Sequence, residues 1–308
     1  MKNITLAITL FTINLLFSQV EKFNYNLVLQ NPENYPFYSA VIEKVNDKNV
    51  LKSEYKYIDS LNFYGLNYKS FDNLRIGGFL VEPKKHGNYP VLIFNRGGNA
   101  SFGTIKFDFL AKFLGKIASK GYIVIGSQLR GSEVSEGLDE FGGKDVYDAL
   151  DILKIIDNLP NADASRIGVF GWSRGVMTNF LMLKQTNRIK TNIAIAGQSD
   201  LINTKRKEMF EVYKARIPYF EKDSILALKN RSSLLAIELI QNNALSNFII
   251  QGNKDTKADI RNAFELNSKL NENNFSTRLL VYENEDHGLL GVTSDLLKQI
   301  ENWLKQKL

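Results

Sequence analysis

The chain has 308 residues, of which 44% are hydrophobic and 23% charged, and these proportions exclude a disordered, collagen-like or coiled-coil protein. Its 39 lysines and arginines against 33 acidic residues give a net charge of +6, without a basic run that would indicate nucleic-acid binding. There is no cysteine and there are only two histidines, so we expect no disulfide, no thiol catalysis, no metal site and no cofactor.

The first twenty residues have the pattern of an export signal. Lys2 is followed by an uncharged stretch from Asn3 to Val20, with the small residue Ser18 near its exit. We expect cleavage after Ser18, so that 1–18 is a signal peptide and the mature protein is periplasmic or extracellular, without stable membrane insertion. The alternative is an uncleaved anchor, for which an 18-residue stretch with several threonines is marginal.

Residues 19–50 are interpreted as an N-terminal extension, and from Leu51 onward segments typical of strands and helices alternate. After two strand-like segments and a turn, short apolar runs typical of fully buried strands alternate with apolar residues at helical spacing. The predicted strands are 55–58, 75–81, 91–94, 122–125, 167–170, 192–196, 248–250 and 279–282, the turn is 84–88, and the predicted helices are 109–120, 146–159, 175–185, 259–272 and 294–306.

This alternation predicts an α/β fold with a mostly parallel, twisted sheet and helices on both faces. Residues 199–246 interrupt the rhythm over a length too great for a plain loop. We expect a helical insertion there, packed over the carboxyl ends of the strands, where ligands of open α/β sheets bind. Its aromatic residues either shape the binding pocket or form a small core of the insertion itself; these are Phe210, Tyr213, Tyr219 and Phe220.

The sharpest local motif is Gly171-Trp172-Ser173-Arg174-Gly175, which follows the predicted strand 167–170 directly and opens a predicted helix. This context is typical of a nucleophile elbow, in which glycines permit a tight turn and the serine projects beside a helix N-terminus. Ser173 is therefore the predicted nucleophile, and the alternative is a turn that matches the motif by chance.

A serine nucleophile requires a base, and in this topology the base follows the serine and the acid in the chain. His287 is the only histidine after Ser173, and it comes just past the last predicted strand. His86 precedes the serine in a hydrophilic turn and is interpreted as an exposed residue without a role. The sequence therefore predicts His287 as the base.

The acid that orients the base is predicted after the strand that precedes the histidine. Asp255 leaves the end of the predicted strand 248–250 and meets this requirement. Two rivals are Asp259, which is better placed to begin the following helix, and Asp286, which is adjacent to His287 and poorly placed to fold back on its ring.

Two N–H donors are needed for the negative charge that develops on the substrate oxygen. One is predicted to be the backbone N–H of Arg174, the residue after the nucleophile. The other is predicted to come from the loop 95–99, whose paired glycines let the backbone approach the substrate.

Four further motifs accompany these segments in a fixed order. They are Arg96-Gly97-Gly98, Leu129-Arg130-Gly131-Ser132, Gly142-Gly143-Lys144-Asp145 and Asp163-Ala164-Ser165-Arg166-Ile167. With them, residues 51–308 resemble the catalytic domain of the prolyl oligopeptidase family, within the α/β-hydrolase superfamily. The resemblance implies an α/β-hydrolase fold over 51–308. It also implies a triad of Ser173, Asp255 and His287, with Gly98 and Arg174 as oxyanion donors.

The sequence also departs from the family pattern. Arg174 stands where the family commonly has tyrosine, Val176 where a second glycine often follows, and Arg96 where the family has histidine. Only about 50 residues precede Leu51, so we expect no propeller domain of the kind that restricts family peptidases to short peptides. This leaves the choice between peptide and ester substrates open.

The expected function is that of a serine peptidase that forms an acyl-enzyme. A carboxylic or acetyl esterase on the same fold is the close alternative, and a non-catalytic binding module is a third. The expected partners are short peptide or ester substrates and other small molecules, with no nucleic acid, and the sequence gives no indication of an oligomeric state.

Overall fold

The structure is a computed structural model that describes residues 21–23 and 41–308. The predicted signal peptide 1–18, its cleavage site at Ser18 and most of the extension 19–50 lie outside the described residues, and the predicted domain boundaries stay predictions. Within the described ranges, no helix has the length and hydrophobicity needed to span a membrane.

Eleven strands occur in the described ranges, and nine of them form one sheet in the order β1-β4-β5-β7-β6-β8-β9-β10-β11. The six neighbouring strands β7, β6, β8, β9, β10 and β11 pair in parallel. The strands β1, β4 and β5 pair antiparallel at one side of the sheet, and β2 and β3 form a separate hairpin. Their bounds are β1 Glu21–Phe23, β2 Ile42–Val45, β3 Lys48–Leu51, β4 Leu61–Lys69, β5 Arg75–Pro83, β6 Tyr89–Asn95, β7 Ile123–Ser127, β8 Ala162–Trp172, β9 Ile189–Ile195, β10 Ser246–Gly252 and β11 Ser276–Tyr282.

Helices connect the parallel strands and cover both faces of the sheet. One core contains α2, α3 and the segment between β9 and β10, and the other contains α1 and α8. The helices are α1 over 107–118, with a π-helical turn Leu110–Leu114, α2 Asp145–Ile156, α3 Arg174–Leu183, α4 Met209–Arg216, α5 Ser224–Lys229, α6 Ser233–Glu238, α7 Ile260–Glu272 and α8 Thr293–Lys307. The predicted α/β class, with a mostly parallel sheet, helices on both faces and a helical segment within 199–246, is confirmed.

One predicted strand is wrong, because residues 55–58 lie in a 3-10 helix, Ser53–Ser60. The alternating aromatic residues there pack on α1 instead of entering the sheet. The hydroxyl of Tyr57 donates to the carbonyl oxygen of Ala111 at 2.6 Å, and Ile58 is buried in the core on that side. The 3-10 helix leads directly into β4, a strand that the sequence analysis did not predict.

The strand β4 lacks a simple alternation because its buried side chains change face at Gly65. Leu61 and Phe63 enter the core beside α1, whereas Leu66 and Tyr68 enter the core on the opposite face. The strand is therefore half-buried on each face in turn, and a search for a single period-two pattern does not detect it.

Candidate active site

Ser173 occupies the sharp turn between β8 and α3, as the sequence predicts. Its backbone has φ 58° and ψ −123°, a region that costs a non-glycine residue free energy and that is concentrated at functional sites. The turn is fixed from below, because the backbone N–H of Ser173 donates to the carbonyl oxygen of Ile195 at 2.8 Å. The serine is thus held at the carboxyl edge of the parallel strands.

The two glycines that flank this turn are required by close backbone contacts. A Cβ atom on Gly175 would lie 1.9 Å from the carbonyl oxygen of Asn95, and one on Gly171 would lie 2.4 Å from the carbonyl oxygen of Gly175. Real Cβ contacts are never this short, so α3 can approach β6 and β8 only when both positions lack a side chain.

His287 lies in the loop after β11, with one ring nitrogen directed to Asp255. The distance from Nδ1 of His287 to Oδ2 of Asp255 is 2.8 Å. A carboxylate only accepts hydrogen bonds, so the neutral ring carries its proton on Nδ1 and its lone pair on Nε2. The indole Nε1–H of Trp172 donates to the carbonyl oxygen of His287 at 3.1 Å, which ties this loop to the nucleophile strand.

Asp255 is held in place by three further hydrogen bonds. Its Oδ1 accepts from the backbone N–H groups of Lys257 at 2.7 Å and Ala258 at 2.8 Å, and its Oδ2 accepts from the side chain of Gln251 at 2.9 Å. Burial alone would raise the pKa of Asp255, but the hydrogen bonds from His287 and the backbone outweigh it and lower that pKa. The carboxylate is therefore fixed in orientation and stays charged.

The rival residues have other partners. Asp259 caps α7 by accepting from the backbone N–H of Arg261 at 3.0 Å, and it also pairs with Lys205. Asp286 is exposed and accepts from the N–H of Gly288 at 2.8 Å. His86 is exposed and contacts Asn161. The geometry thus joins His287 to Asp255, while the catalytic roles of these residues stay predictions.

The loop after β6 lies directly against the nucleophile. A Cβ on Gly97 would lie 3.0 Å from the Cβ of Ser173. Gly98 has φ +74°, and a side chain there would collide with the carbonyl oxygen of Phe102 at 2.0 Å, so the position requires glycine. Arg174, the other predicted oxyanion residue, is the first residue of α3.

Arg96 supports this loop from below, a function that the sequence analysis missed. Its buried guanidinium donates to four carbonyl oxygens, at distances from 2.6 to 3.0 Å; they belong to Gly97, Ala100, Phe102 and Gln128. The signal was available in the sequence, because a cation next to paired glycines is suited to bind carbonyl groups that the turn leaves without partners.

A cavity of about 720 Å³ lies at the carboxyl edge of the sheet. Ser173, His287, Gly98 and Arg174 contribute to its wall. Most of the remaining surface is apolar and aromatic, and includes Phe94, Phe109, Phe113, Phe141, Trp172 and Met177. A cavity of this size and composition can accommodate an apolar side chain or acyl group beside the serine.

The insertion contributes to the cavity through different residues from those predicted. Leu201, Arg206 and Met209 line it, but none of the four predicted aromatic residues does. Tyr213 and Phe220 are buried, whereas Phe210 and Tyr219 are exposed. None of these aromatics is therefore a wall residue of the cavity, and they form no separate core: Tyr213 and Phe220 belong to the main core beside α2 and α3, where Tyr213 packs against the cavity residue Phe141.

Metal ligands do not converge in the described part of the chain. No group of three or more histidine, aspartate or glutamate side chains there has the arrangement of a metal site. The absence of a cofactor stays an expectation from the sequence.

Comparison with known sequences relates the chain to one peptidase family. The profile of the prolyl oligopeptidase family matches residues 106–308. The chain is 26% identical over 251 residues to the uncharacterized peptidase YtmA of Bacillus subtilis, covering 80% of this chain and 95% of YtmA. It is 24% identical over 240 residues to dipeptidyl-peptidase 5 of Porphyromonas gingivalis, covering 72% of this chain and 34% of that protein.

Solved structures share the fold. Porphyromonas gingivalis dipeptidyl peptidase 4 matches with a TM-score of 0.66 and 24% identity, over 80% of this chain and 36% of that one. Pyrococcus horikoshii acylaminoacyl peptidase matches with a TM-score of 0.69 and 18% identity, over 86% of this chain and 45% of that one. The chain therefore has the α/β-hydrolase fold, and it spans less than half the length of these two structural relatives.

Proposed function

The chain belongs to the prolyl oligopeptidase family of serine hydrolases, and from that premise we propose that it cleaves short peptides through an acyl-enzyme on Ser173. The observation that carries this proposal is the 2.8 Å contact between Nδ1 of His287 and Oδ2 of Asp255, because His287 and Ser173 line the same cavity. This contact leaves Nε2 of His287 as the free base.

In the proposed mechanism, Oγ of Ser173 attacks the substrate carbonyl carbon while Nε2 of His287 accepts the hydroxyl proton. The charged Asp255 stabilises the imidazolium, and the backbone N–H groups of Gly98 and Arg174 bind the developing oxyanion. The imidazolium then gives its proton to the leaving amine, and the carbon–nitrogen bond breaks. Water repeats the sequence on the acyl-enzyme, releasing the acid and restoring Ser173.

A comparison of aminoacyl-arylamides with short acyl esters, on the purified protein, tests this function. Hydrolysis of the arylamides that depends on Ser173 supports the peptidase. Hydrolysis confined to the esters would replace it with the esterase alternative, which has the same mechanism. Absence of both activities and of labelling by a phosphonate would favour the binding module.

The charge of the cavity bears on which peptides are bound. Among the described residues that line it, Asp108 is the one carboxylate, and it is paired with Lys112 at 2.7 Å. The same wall carries Lys116, Arg206 and Lys257, and only Arg206 of these has an acidic partner within the described residues. A free α-ammonium group would therefore meet like charges, whereas an acylated or anionic substrate would not.

We expect N-acylated aminoacyl-arylamides to be cleaved more efficiently than the same compounds with a free amine. One unpaired cation within a few ångströms of the ammonium costs about 1 kcal/mol in a water-like medium, which corresponds to about a fivefold preference in kcat/KM. The measurement is the ratio of kcat/KM for the blocked and free forms of one substrate.

The variant Lys257→Gln should lower this ratio, because it removes an exposed cation from the cavity wall. Lys254→Gln is the matched control, since Lys254 is also exposed but lies outside the cavity wall. Because the ratio compares two substrates on one enzyme, general effects on the catalytic histidine cancel. A preference for the free amine in the wild type would contradict the expectation.

We propose further that 1–18 directs export and is removed. The support is the uncharged stretch after Lys2 and the small residue Ser18. Cleavage after Ser18 would leave 290 of the 308 residues, with Gln19 at the N-terminus. Mass spectrometry of the protein from an exporting host checks this, and a membrane-bound product that begins at Met1 would favour the anchor.

A further inference from the structure

Arg174, which stands where the family commonly has tyrosine, has a buried guanidinium whose two terminal nitrogens, Nη1 and Nη2, both donate hydrogen bonds. Its Nη1 and Nη2 donate to the two carboxylate oxygens of Asp139, each at 2.7 Å, and Nη2 also donates to Asp145 at 2.8 Å. The guanidinium lies 4.3 Å from the ring centre of Phe141. Such a side chain has one orientation available to it.

The same ion pair reaches the loop that supplies the second predicted oxyanion donor. Nη1 of Arg174 donates to the carbonyl oxygen of Gly98 at 3.1 Å, and Oδ2 of Asp139 accepts from the N–H of Ala100 at 2.6 Å. Burial alone would raise the pKa of Asp139, but Arg174 outweighs it and lowers that pKa to about 2. The pair therefore stays ionised, and it holds the segment 98–100 at two points: Arg174 contacts Gly98, and Asp139 contacts Ala100.

We propose that the side chains of Arg174 and Asp139 are positioning residues that set the separation of the two oxyanion donors. The backbone N–H of Arg174 is one donor, and its guanidinium holds the residue that carries the other. A single residue thus determines both positions relative to Ser173. This inference rests on the proposed function, because it assigns a role within the same acyl-transfer site.

A buried ion pair also stabilises the fold, so loss of stability must be distinguished from loss of donor positioning. The chain contains a second, similar ion pair that allows this comparison. Arg130 is equally buried, bonds two carboxylates, Asp72 and Asp148, and lies 5.3 Å from the ring centre of Phe71. Its contacts do not include the loop 97–102, and it does not line the cavity. Arg130→Lys therefore reports the cost of weakening such a cluster away from the site.

The decisive comparison is Arg174→Lys against Arg130→Lys, since lysine keeps the charge and loses the planar fork. The first readout is inactivation by an alkyl fluorophosphonate, whose phosphoryl oxygen occupies the oxyanion site. We expect Arg174→Lys to lower the maximal inactivation rate and kcat on a p-nitrophenyl ester by about tenfold or more, with little change in KM or inhibitor affinity. Asp139→Asn should likewise lower kcat and the inactivation rate with little change in KM. Arg130→Lys should lower the melting temperature but leave kcat and the inactivation rate near the wild-type values.

Equal kcat values for Arg174→Lys and Arg130→Lys would overturn the inference while the proposed function stands, provided that thermal unfolding curves show both variants to be folded. A loss confined to KM would also overturn it, because donor geometry acts on the transition state. A wild-type protein that neither reacts with the phosphonate nor hydrolyses esters or arylamides would overturn the inference and the proposed function together.

Discussion

Replacement of Ser173 by alanine should lower turnover by about 10⁴-fold or more and abolish covalent labelling by an alkyl fluorophosphonate. In the proposed mechanism the hydroxyl oxygen forms the acyl bond, and no neighbouring group would replace it. Alanine can adopt the same strained backbone at φ 58°, and the glycine contacts that shape the turn are unchanged. The measurements are turnover on the best arylamide or ester, and intact-mass analysis after labelling.

Ser132→Ala is the matched control for this experiment. Ser132 is buried in another motif of the family resemblance, and its hydroxyl donates to the carbonyl oxygen of Leu129 at 3.0 Å, away from the cavity. This variant should be labelled at the wild-type rate and should lose only a little stability. Persistent labelling of the Ser173→Ala protein would show that a different serine is the nucleophile.

The fold was predictable wherever burial produces a simple pattern. Residues 167–171 of strand β8 and the whole of helix α3 are buried, so their apolar runs are visible in the sequence. The strand β4 was not predicted because its buried residues change face at Gly65. Residues 55–58 were wrongly predicted as a strand because Tyr57 packs on α1. Both errors occur where tertiary packing, and not local periodicity, determines the structure.

The candidate site was predictable to the extent that fold topology fixes the order of its residues. The strand ends of β8, β10 and β11 meet at one edge of the sheet, so Ser173, Asp255 and His287 could be chosen from their positions alone. The partners of Arg174 could not, because they lie about 30 residues before it, Asp139 in the loop before α2 and Asp145 at the first residue of α2. Nothing in local sequence specifies contacts of that kind.

Asp255→Asn should lower turnover by roughly 10³–10⁴-fold while the overall fold remains. Asparagine keeps the shape and can still accept from the N–H groups of Lys257 and Ala258. Its amide nitrogen, however, would face Nδ1–H of His287 and the side-chain N–H of Gln251, which are both donors. The ring would then favour the other tautomer and lose its free lone pair on Nε2.

Asp286→Asn provides the comparison on turnover, because this exposed residue is adjacent to His287 and its carboxylate accepts from the N–H of Gly288. Its turnover should stay within about threefold of the wild type. A large loss at Asp286 with a small loss at Asp255 would reverse the assignment of the acid.

The pH dependence of stability gives an independent check on Asp255. Its pKa is lower in the folded protein than the ordinary carboxyl value of about 3.9, so its charge stabilises the fold above that value. As the pH falls below about 4, the unfolded chain takes up the proton first and this contribution is lost. The difference in unfolding free energy between the wild type and Asp255→Asn should therefore shift against the wild type as the pH falls from about 5 to 3. Denaturant titrations from pH 3 to 7 measure this difference, and a shift in favour of the wild type at low pH would mean that Asp255 is not held as the ionised partner of His287.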